Sequence, residues 1–389
     1  MTPARPLSGF KVVELTRVLA APWAGQILAD LGADVIKIES PAGDDTRGWG
    51  PPFVQTNDGI SLGAAYFSTC NRGKRSAVAD FKTPEGQALV RRLATHADVL
   101  LENFKVGGLA AYGLDYASLR SINPRLVYCS VTGFGQTGPY AHRPGYDFLT
   151  QGMGGVMSVT GELGGQRLRS GVAVSDISAG LYAAIGVQAV LLQRTRTGEG
   201  AHVDIALLDS TVAILAYLGL NFLASGVEPG TQGNTHPNIV PYQPFKTADG
   251  EIIIAAGNNA QFAQLCAVLG RSDLARDPRY ATNAERASNR ESLVSDLTAH
   301  IALQTSADLL SQLEKSGVPA GPINDFGAVF ADPQVISRGM QIDCDGVPGV
   351  RTPIMVDAAP ATSCRAPLLA LVASARTRSR ASPRRTIAS

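Results

Sequence analysis

Short apolar runs rich in Val and Ile alternate with stretches of helical spacing through about the first 210 residues. Lys11–Leu15 and Ala33–Ile38 flank a helical pattern over about Ala21–Leu31. Ser76–Phe81 and Asp98–Phe104 flank a second, opened by Thr83 as N-cap with Pro84 at the first helical position. Leu126–Thr132 is a further buried-strand run. This rhythm predicts βαβ units, a parallel sheet and so a large doubly wound, Rossmann-like α/β domain.

From Ser175 to Arg194 the apolar spacing is helical, with Arg194, Arg196 and Gly198 as a stop signal and Asp176 in the first turn. Another helix is expected over Ser210–Leu223, followed by Gly226–Pro237, a linker or binding loop. Beyond it Pro244–Thr247 and Glu251–Ala256 bracket Asp249-Gly250 as a hairpin, and helices follow over about 260–269, 290–303 and 306–315. The expected division is a large domain over 1–225, a smaller α+β domain over 226–325, and a return to the large domain over 326–369. The Arg-, Ser- and Ala-rich stretch 370–389 has no periodicity and is expected to be disordered.

Composition narrows the class. The chain has 389 residues, 45% hydrophobic and 17% charged, with a formal charge of +1 and no dense basic block before the C-terminus, so neither nucleic acid nor membrane is an expected partner. Five scattered cysteines, none in CxxC spacing, disfavour a disulfide framework and a zinc site and point to a reducing, cytoplasmic setting. Met1–Ser8 holds no apolar core of a signal peptide. A small-molecule ligand is expected.

Two motifs match chemistry by letter only. Gly133, Gly135 and Gly138 form GxGxxG after a strand, but Pro139 and Pro144 follow where a dinucleotide fold begins a helix. Gly59–Gly63 reads GxSxG without the buried strand that a nucleophile elbow needs. His142 and His236 lie in Gly/Pro-rich loops, where binding residues concentrate, and no pair of histidines has a two-ligand metal spacing.

Several segments in register resemble the class III coenzyme A transferases, the family of formyl-CoA transferase and carnitine CoA-transferase. They are Leu15–Gly25 (LTRVLAAPWAG), Asp30–Glu39 (DLGADVIKIE), Gly43–Arg47 (GDDTR), Asn71–Ser76 (NRGKRS), Thr83–Gly86 (TPEG), Glu102–Phe104 (ENF), Gly133–Pro139 and Arg194–Gly200. The likeness runs over about 7–368 in unbroken order. It implies an interlocked homodimer, acyl-CoA and a carboxylic acid as substrates, and no permanently bound cofactor.

The family's nucleophile is an aspartate heading a helix in a small-residue stretch, which matches Asp176 in Gly171–Gly180 (GVAVSDISAG). Read without the resemblance, an Asp in a first turn is a cap or dipole partner. The resemblance further implies that CoA is held by Arg17, Val18 and Ala20, by Arg47, by Asn71, Lys74 and Arg75, and by Asn103, Phe104 and Lys105. It places glycine-rich segments over the intermediate, here Gly171 and the loop Gly233, Asn234, Thr235, His236. Ala111 stands where the formyl enzyme has a basic CoA contact.

The same fold hosts α-methylacyl-CoA racemase, which needs a histidine base where this chain has Tyr146. A phenol with a pKa of about 10 is a poor base, so Tyr146 is expected to donate a hydrogen bond to an acyl or anhydride oxygen. Thr235–Thr247, Ala256–Phe262 and Ser316–Asn324 look like the succinate-hydroxymethylglutarate CoA-transferase branch, whose substrates are dicarboxylates. Arg169 is the candidate clamp for a distal carboxylate. The expected function is CoA transfer from succinyl-CoA to a dicarboxylate such as glutarate or hydroxymethylglutarate. The alternatives are an acyl-CoA racemase, a transferase for another acid, and an inactive CoA-binding protein, the last motivated by the atypical tail.

Overall fold

The computed structural model describes residues 5–370. The tail from residue 371 on, expected to be disordered, lies outside the described residues. The chain divides into two compact units: residues up to Thr150, Ala173–Ile214 and from Met340 onward in the first, Gln151–Val172 and Leu215–Gly339 in the second. This division assigns 151–172, 215–225 and 326–339 to the second unit, segments that the sequence boundaries at 225 and 325 leave in the first. The chain enters the second unit twice, and hydrophobic periodicity carries no mark of which strand or helix a segment packs against.

The first unit is built on six parallel strands: β1 (Lys11–Leu15), β2 (Asp34–Glu39), β3 (Arg75–Val78), β4 (Val99–Glu102), β5 (Val127–Thr132) and β6 (His202–Ala206). Their spatial order is β3-β2-β1-β4-β5-β6, so the winding reverses between β1 and β4. Alternation along each strand makes two cores. Val12, Val35, Val99, Leu101, Val127 and Cys129 point to the side covered by α1 (Ala20–Asp30). Val13, Leu15, Ile38, Leu100 and Tyr128 point to the other, beneath α2 (Pro84–Ala94) and α3 (Tyr116–Ile122). Each such side chain contributes roughly 1.5–3 kcal/mol by leaving water.

The helix ends follow the sequence signals. Thr83 Oγ1 accepts from the Gly86 N–H at 3.1 Å and Pro84 opens α2. The long helix α4 (Val174–Thr197) ends on Gly198 in the left-handed region, φ 77°. Arg194 in its last turn is pinned by an ion pair to Asp98 at 2.7 Å and by the Arg125 carbonyl. Gly180 is the contact point of α4 with α1: a Cβ there would lie 2.5 Å from the Ala20 oxygen. Only a glycine lets the first turns of the two helices meet this closely.

The single helix expected over 210–223 is two, Leu207–Ala213 and Ala216–Ser225, with Ala216 at φ 48° where the helical hydrogen bonding breaks. Ser61 of the GxSxG match begins a strand, Ser61–Ala64, paired with Phe53–Gln55, which is the reverse of a nucleophile elbow. A hairpin of Gln341–Cys344 with Val347–Val350, unread in the sequence, belongs to the first unit.

The second unit carries β7 (Tyr242–Lys246), β8 (Glu251–Ala255) and β9 (Ala320–Pro322), antiparallel in the order β9-β8-β7. Helices Asn259–Val268, Arg290–Ile301 and Ser306–Lys315 close over Phe245, Ile252, Ile254, Leu265, Leu297 and Leu309. Buried Arg286 donates to the carbonyls of Val240 and Tyr280 and to Asn259 Oδ1.

Candidate active site

In a doubly wound sheet, ligands bind outside the carboxyl ends of the strands where the order reverses. A cavity of about 430 Å³ opens there, beyond β1, β4 and β5. Arg17, Val18, Leu19 and Ala20 follow β1, Asn103, Phe104 and Lys105 follow β4, and Thr132 and Gly133 end β5. Tyr146 and Asp176 complete one wall. Gly133 is here for close approach, since a Cβ on it would meet the Gly145 Cα at 2.6 Å. A second cavity of about 210 Å³ adjoins at Arg17, Phe104 and Tyr112 and is walled by Gly43, Ala79, Phe81 and Lys82.

Asp176 is buried, at 9% exposure, in the first turn of α4. The capping role belongs to Asp147, whose Oδ1 accepts from the N–H groups of Ser175 at 2.9 Å and Asp176 at 3.4 Å. Among the described residues no group donates a hydrogen bond to the Asp176 carboxylate. Burial, with the charge of Asp147 second, pushes its pKa up to about 7. A carboxylate desolvated in this way is a stronger nucleophile than one in water, at the expense of its ionised fraction near neutrality. Burial and then the charge of Asp176 push the phenol of Tyr66 up to about 12, so it stays protonated beside the carboxylate.

Arg17, Val18, Ala20, Asn103, Phe104, Lys105 and Tyr146 line the same cavity as Asp176. Arg47, Asn71, Lys74 and Arg75 do not, and each is engaged elsewhere. Lys74 has a fully buried side chain bound to Glu14 at 2.8 Å, the Pro22 carbonyl and Asn71. Its expected role as an exposed phosphate cation is therefore corrected: burial lowers its pKa, Glu14 opposes that, and the ammonium neutralises a buried carboxylate. Asn71 is buried with its amide on the Phe67 carbonyl. Arg47 holds Glu39 with two nitrogens, at 2.8 and 2.7 Å, and lies over the Phe67 ring. Arg75 pairs with Asp34 on the far edge of the sheet.

Gly171, Arg169, Gly233, Asn234 and His236 belong to the second unit. A Cβ on Gly171 would meet nothing within 4 Å, and exposed Arg169 donates to the Ser170 carbonyl at 3.3 Å. Gly233 has φ 57° and donates to the Gly161 carbonyl. His236 stacks on Tyr217 and its Nδ1 accepts from the N–H groups of Asn238 and Ile239, which leaves Nε2 with the proton. Burial and Arg290 lower its pKa, so the imidazole is neutral.

The sequence reading passed over Arg143, Tyr112 and Tyr66. Arg143 lines the main cavity and lies over the Tyr140 ring at 4.5 Å. Its signal was present: a cation in the Gly/Pro-rich loop after β5, beside His142, which is exposed and away from the cavity.

A parallel-sheet crevice lined by cations and by a buried carboxylate suits acyl transfer on an anionic substrate. The chain belongs to CoA-transferase family III, whose model matches residues 7–370. It is 55% identical over 361 residues to the succinate–glutarate CoA-transferase of Agrobacterium fabrum, covering 91% of this chain and 90% of that one. It is 46% identical over 340 residues to the succinyl-CoA:glutarate CoA-transferase of Mus musculus, covering 87% of this chain and 77% of that one. A CAIB/BAIF family protein from Brucella suis superposes with a TM-score of 0.83 at 56% identity, covering 94% of this chain and 97% of that one. The enzyme class and the family expected from the sequence motifs thus hold.

Proposed function

We propose that this CoA-transferase moves CoA from succinyl-CoA to glutarate or a related dicarboxylate such as hydroxymethylglutarate, with Asp176 as the nucleophile. One observation carries the reading: a buried carboxylate without a hydrogen-bond donor lines the switch-point crevice of a chain similar to succinate–glutarate CoA-transferases.

Asp176 attacks the succinyl carbonyl, expelling CoA thiolate and leaving a mixed anhydride. The thiolate attacks the aspartyl carbonyl, releasing succinate and forming an aspartyl-CoA thioester. The carboxylate of the acceptor attacks that thioester, giving a second anhydride and thiolate again. The thiolate then takes the acceptor's acyl carbon, and Asp176 leaves as a carboxylate. Charge balances at every step, and each thioester broken in forming an anhydride is re-formed when the thiolate attacks it.

In this reading Arg17, Lys105 and Arg143 take the phosphates of CoA, and the smaller cavity lined by Phe81 and Phe104 takes its adenine. Tyr146, two-thirds exposed at the cavity wall, donates to the acyl oxygen. By the family resemblance, Gly171, Gly233, Asn234 and His236 are the segments expected over the intermediate, and Arg169 is the candidate for the distal carboxylate.

We read the active form as a homodimer in the cytoplasm. Helix α4 supports the first part, because Leu181, Ile185 and Leu192 stand exposed on one face of it at 46%, 60% and 66%. That helix is also long and apolar enough by composition to cross a membrane, but its other face is buried against α1 and the sheet. The five free cysteines support a reducing compartment.

The test is to incubate the protein with succinyl-CoA, quench in acid, and map CoA or hydroxylamine adducts by peptide mass spectrometry. An adduct on Asp176, lost in Asp176→Ala, with succinyl-CoA turned over beyond one equivalent of enzyme only when glutarate is added, is the expected result. Correct folding and CoA binding with no adduct would overturn the reading.

A further inference from the structure

Three successive backbone carbonyls at the rim of the crevice are each held by a side chain. Thr16 O accepts from Lys37 Nζ at 2.7 Å, Arg17 O from Asn103 Nδ2 at 2.7 Å, and Val18 O from the Cys70 thiol at 3.5 Å. Asn103 Oδ1 also accepts from the Arg17 N–H at 3.0 Å. The Asn103 amide therefore pairs with Arg17 as a neighbouring strand would, one step past the last β1 to β4 partners, Leu15 and Glu102. Lys37 is itself fixed, fully buried between Asp44 at 3.0 Å and Glu14 at 3.3 Å.

This clamp ends on strain. Val18 has φ 69°, a region that a β-branched residue occupies only when its surroundings enforce it. Immediately after it α1 begins without a side-chain N-cap. Among the described residues no acceptor meets the N–H groups of Val18, Leu19 or Ala20, and these three residues line the cavity with Asp176.

We infer that Asn103 is a positioning residue, which locks Arg17 so that Val18 is held in its left-handed turn and the following N–H groups face the oxyanions formed on and from Asp176. Its family-based assignment as a CoA contact changes accordingly: both ends of its amide are spent on Arg17. The N–H groups stabilise charge that exists only during reaction, so the clamp acts on kcat more than on ground-state binding.

The inference rests on the CoA-transfer reading. The experiment is a double-mutant cycle of Asn103→Ala and Val18→Gly, with steady-state kinetics on succinyl-CoA and glutarate and binding of free CoA. Asn103→Ala is expected to lower kcat about 10- to 100-fold, the range such backbone strain spans, with KM and CoA affinity within about threefold of wild type. Glycine takes φ near 69° without penalty, so in the Val18→Gly background the same substitution should lose no more than about threefold. Losses that multiply, or an effect on KM and CoA binding alone, would overturn the inference in favour of a direct ligand contact. Should Asn103→Ala not fold, Cys70→Ala releases the next carbonyl and is expected to show the same coupling at smaller amplitude. Additivity there would also overturn it. An inactive wild type would instead remove the functional reading, so the two failures are distinguishable.

Discussion

Replacing Asp176 should stabilise the protein. Asp176 has a folded-state pKa raised from 3.8 to about 7 by burial and then by Asp147. For an acid raised in this direction, the folded state binds more protons than the unfolded one between about pH 4 and pH 7, so stability falls as pH rises through that window. About three pKa units at 1.36 kcal/mol each give a penalty of about 4 kcal/mol once the group is ionised. The α4 N-terminus works the other way, by up to about 2 kcal/mol. Asp176→Asn keeps the shape and lacks the charge, so at pH 8 it should gain about 2 to 4 kcal/mol. A chain of 389 residues has an unfolding entropy of roughly 0.8 kcal/mol/K, which makes this a rise in Tm of about 3 to 5 °C, larger if the first unit melts alone. The assay is differential scanning fluorimetry of wild type and variant without ligand, from pH 4 to pH 8. The gap should vanish near pH 4, where both side chains are neutral. An equal or lower Tm for the variant at pH 8, or a gap independent of pH, would refute the reasoning.

The same proton predicts that kcat/KM rises with pH through about 7 as Asp176 ionises. Asp147→Asn, which removes the second cause of the shift while leaving an amide oxygen for the Ser175 N–H, should move that limb to lower pH by less than one unit, read from a pH–rate profile. Gly180→Ala drives a Cβ to 2.5 Å from the Ala20 oxygen and should lower stability by about 1–3 kcal/mol while reducing adduct formation on Asp176, because α4 must move off α1. Thr83→Ala, far from the crevice, should lower stability by about 1 kcal/mol in urea titration with kcat unchanged. Cys344 and Cys364 share a hydrogen bond although twenty residues apart, so mild oxidation should join them and lower the intact mass by two hydrogens.

How far the sequence carries the fold is visible in β2. Its Val and Ile mark it as a buried strand, yet Lys37 in the middle is fully buried too, tolerated because Glu14 on β1 and Asp44 after β2 meet its charge. Pattern reading finds the strand and has no access to the partners. Lys74 shows the same limit: the resemblance offers it as a CoA contact, and nothing in its local sequence points to Glu14, sixty residues earlier, with which it is buried. The first entry of the chain into the second unit, over 151–172, is equally silent, since small and polar residues there show no period.

Asp176 poses the opposite problem, because its local sequence suggests a capping role that falls to Asp147 instead. An aspartate in the first turn of a helix is a cap by default, and only the resemblance to a family promotes Asp176 to catalysis. The structure explains how one turn can hold two carboxylates with different duties. Asp147, the first residue of a separate helix over Asp147–Met153, takes the N–H groups of Ser175 and Asp176, which meets part of the need of the helix end. Asp176 is thereby relieved of capping and lines the crevice, buried and without a donor among the described residues. A capping aspartate would have its lone pairs occupied and its charge stabilised, both of which oppose attack on a carbonyl. Division of labour between the two residues leaves the Asp176 carboxylate free of capping, as the proposed attack requires, and the residue that frees it lies 29 positions away in the chain.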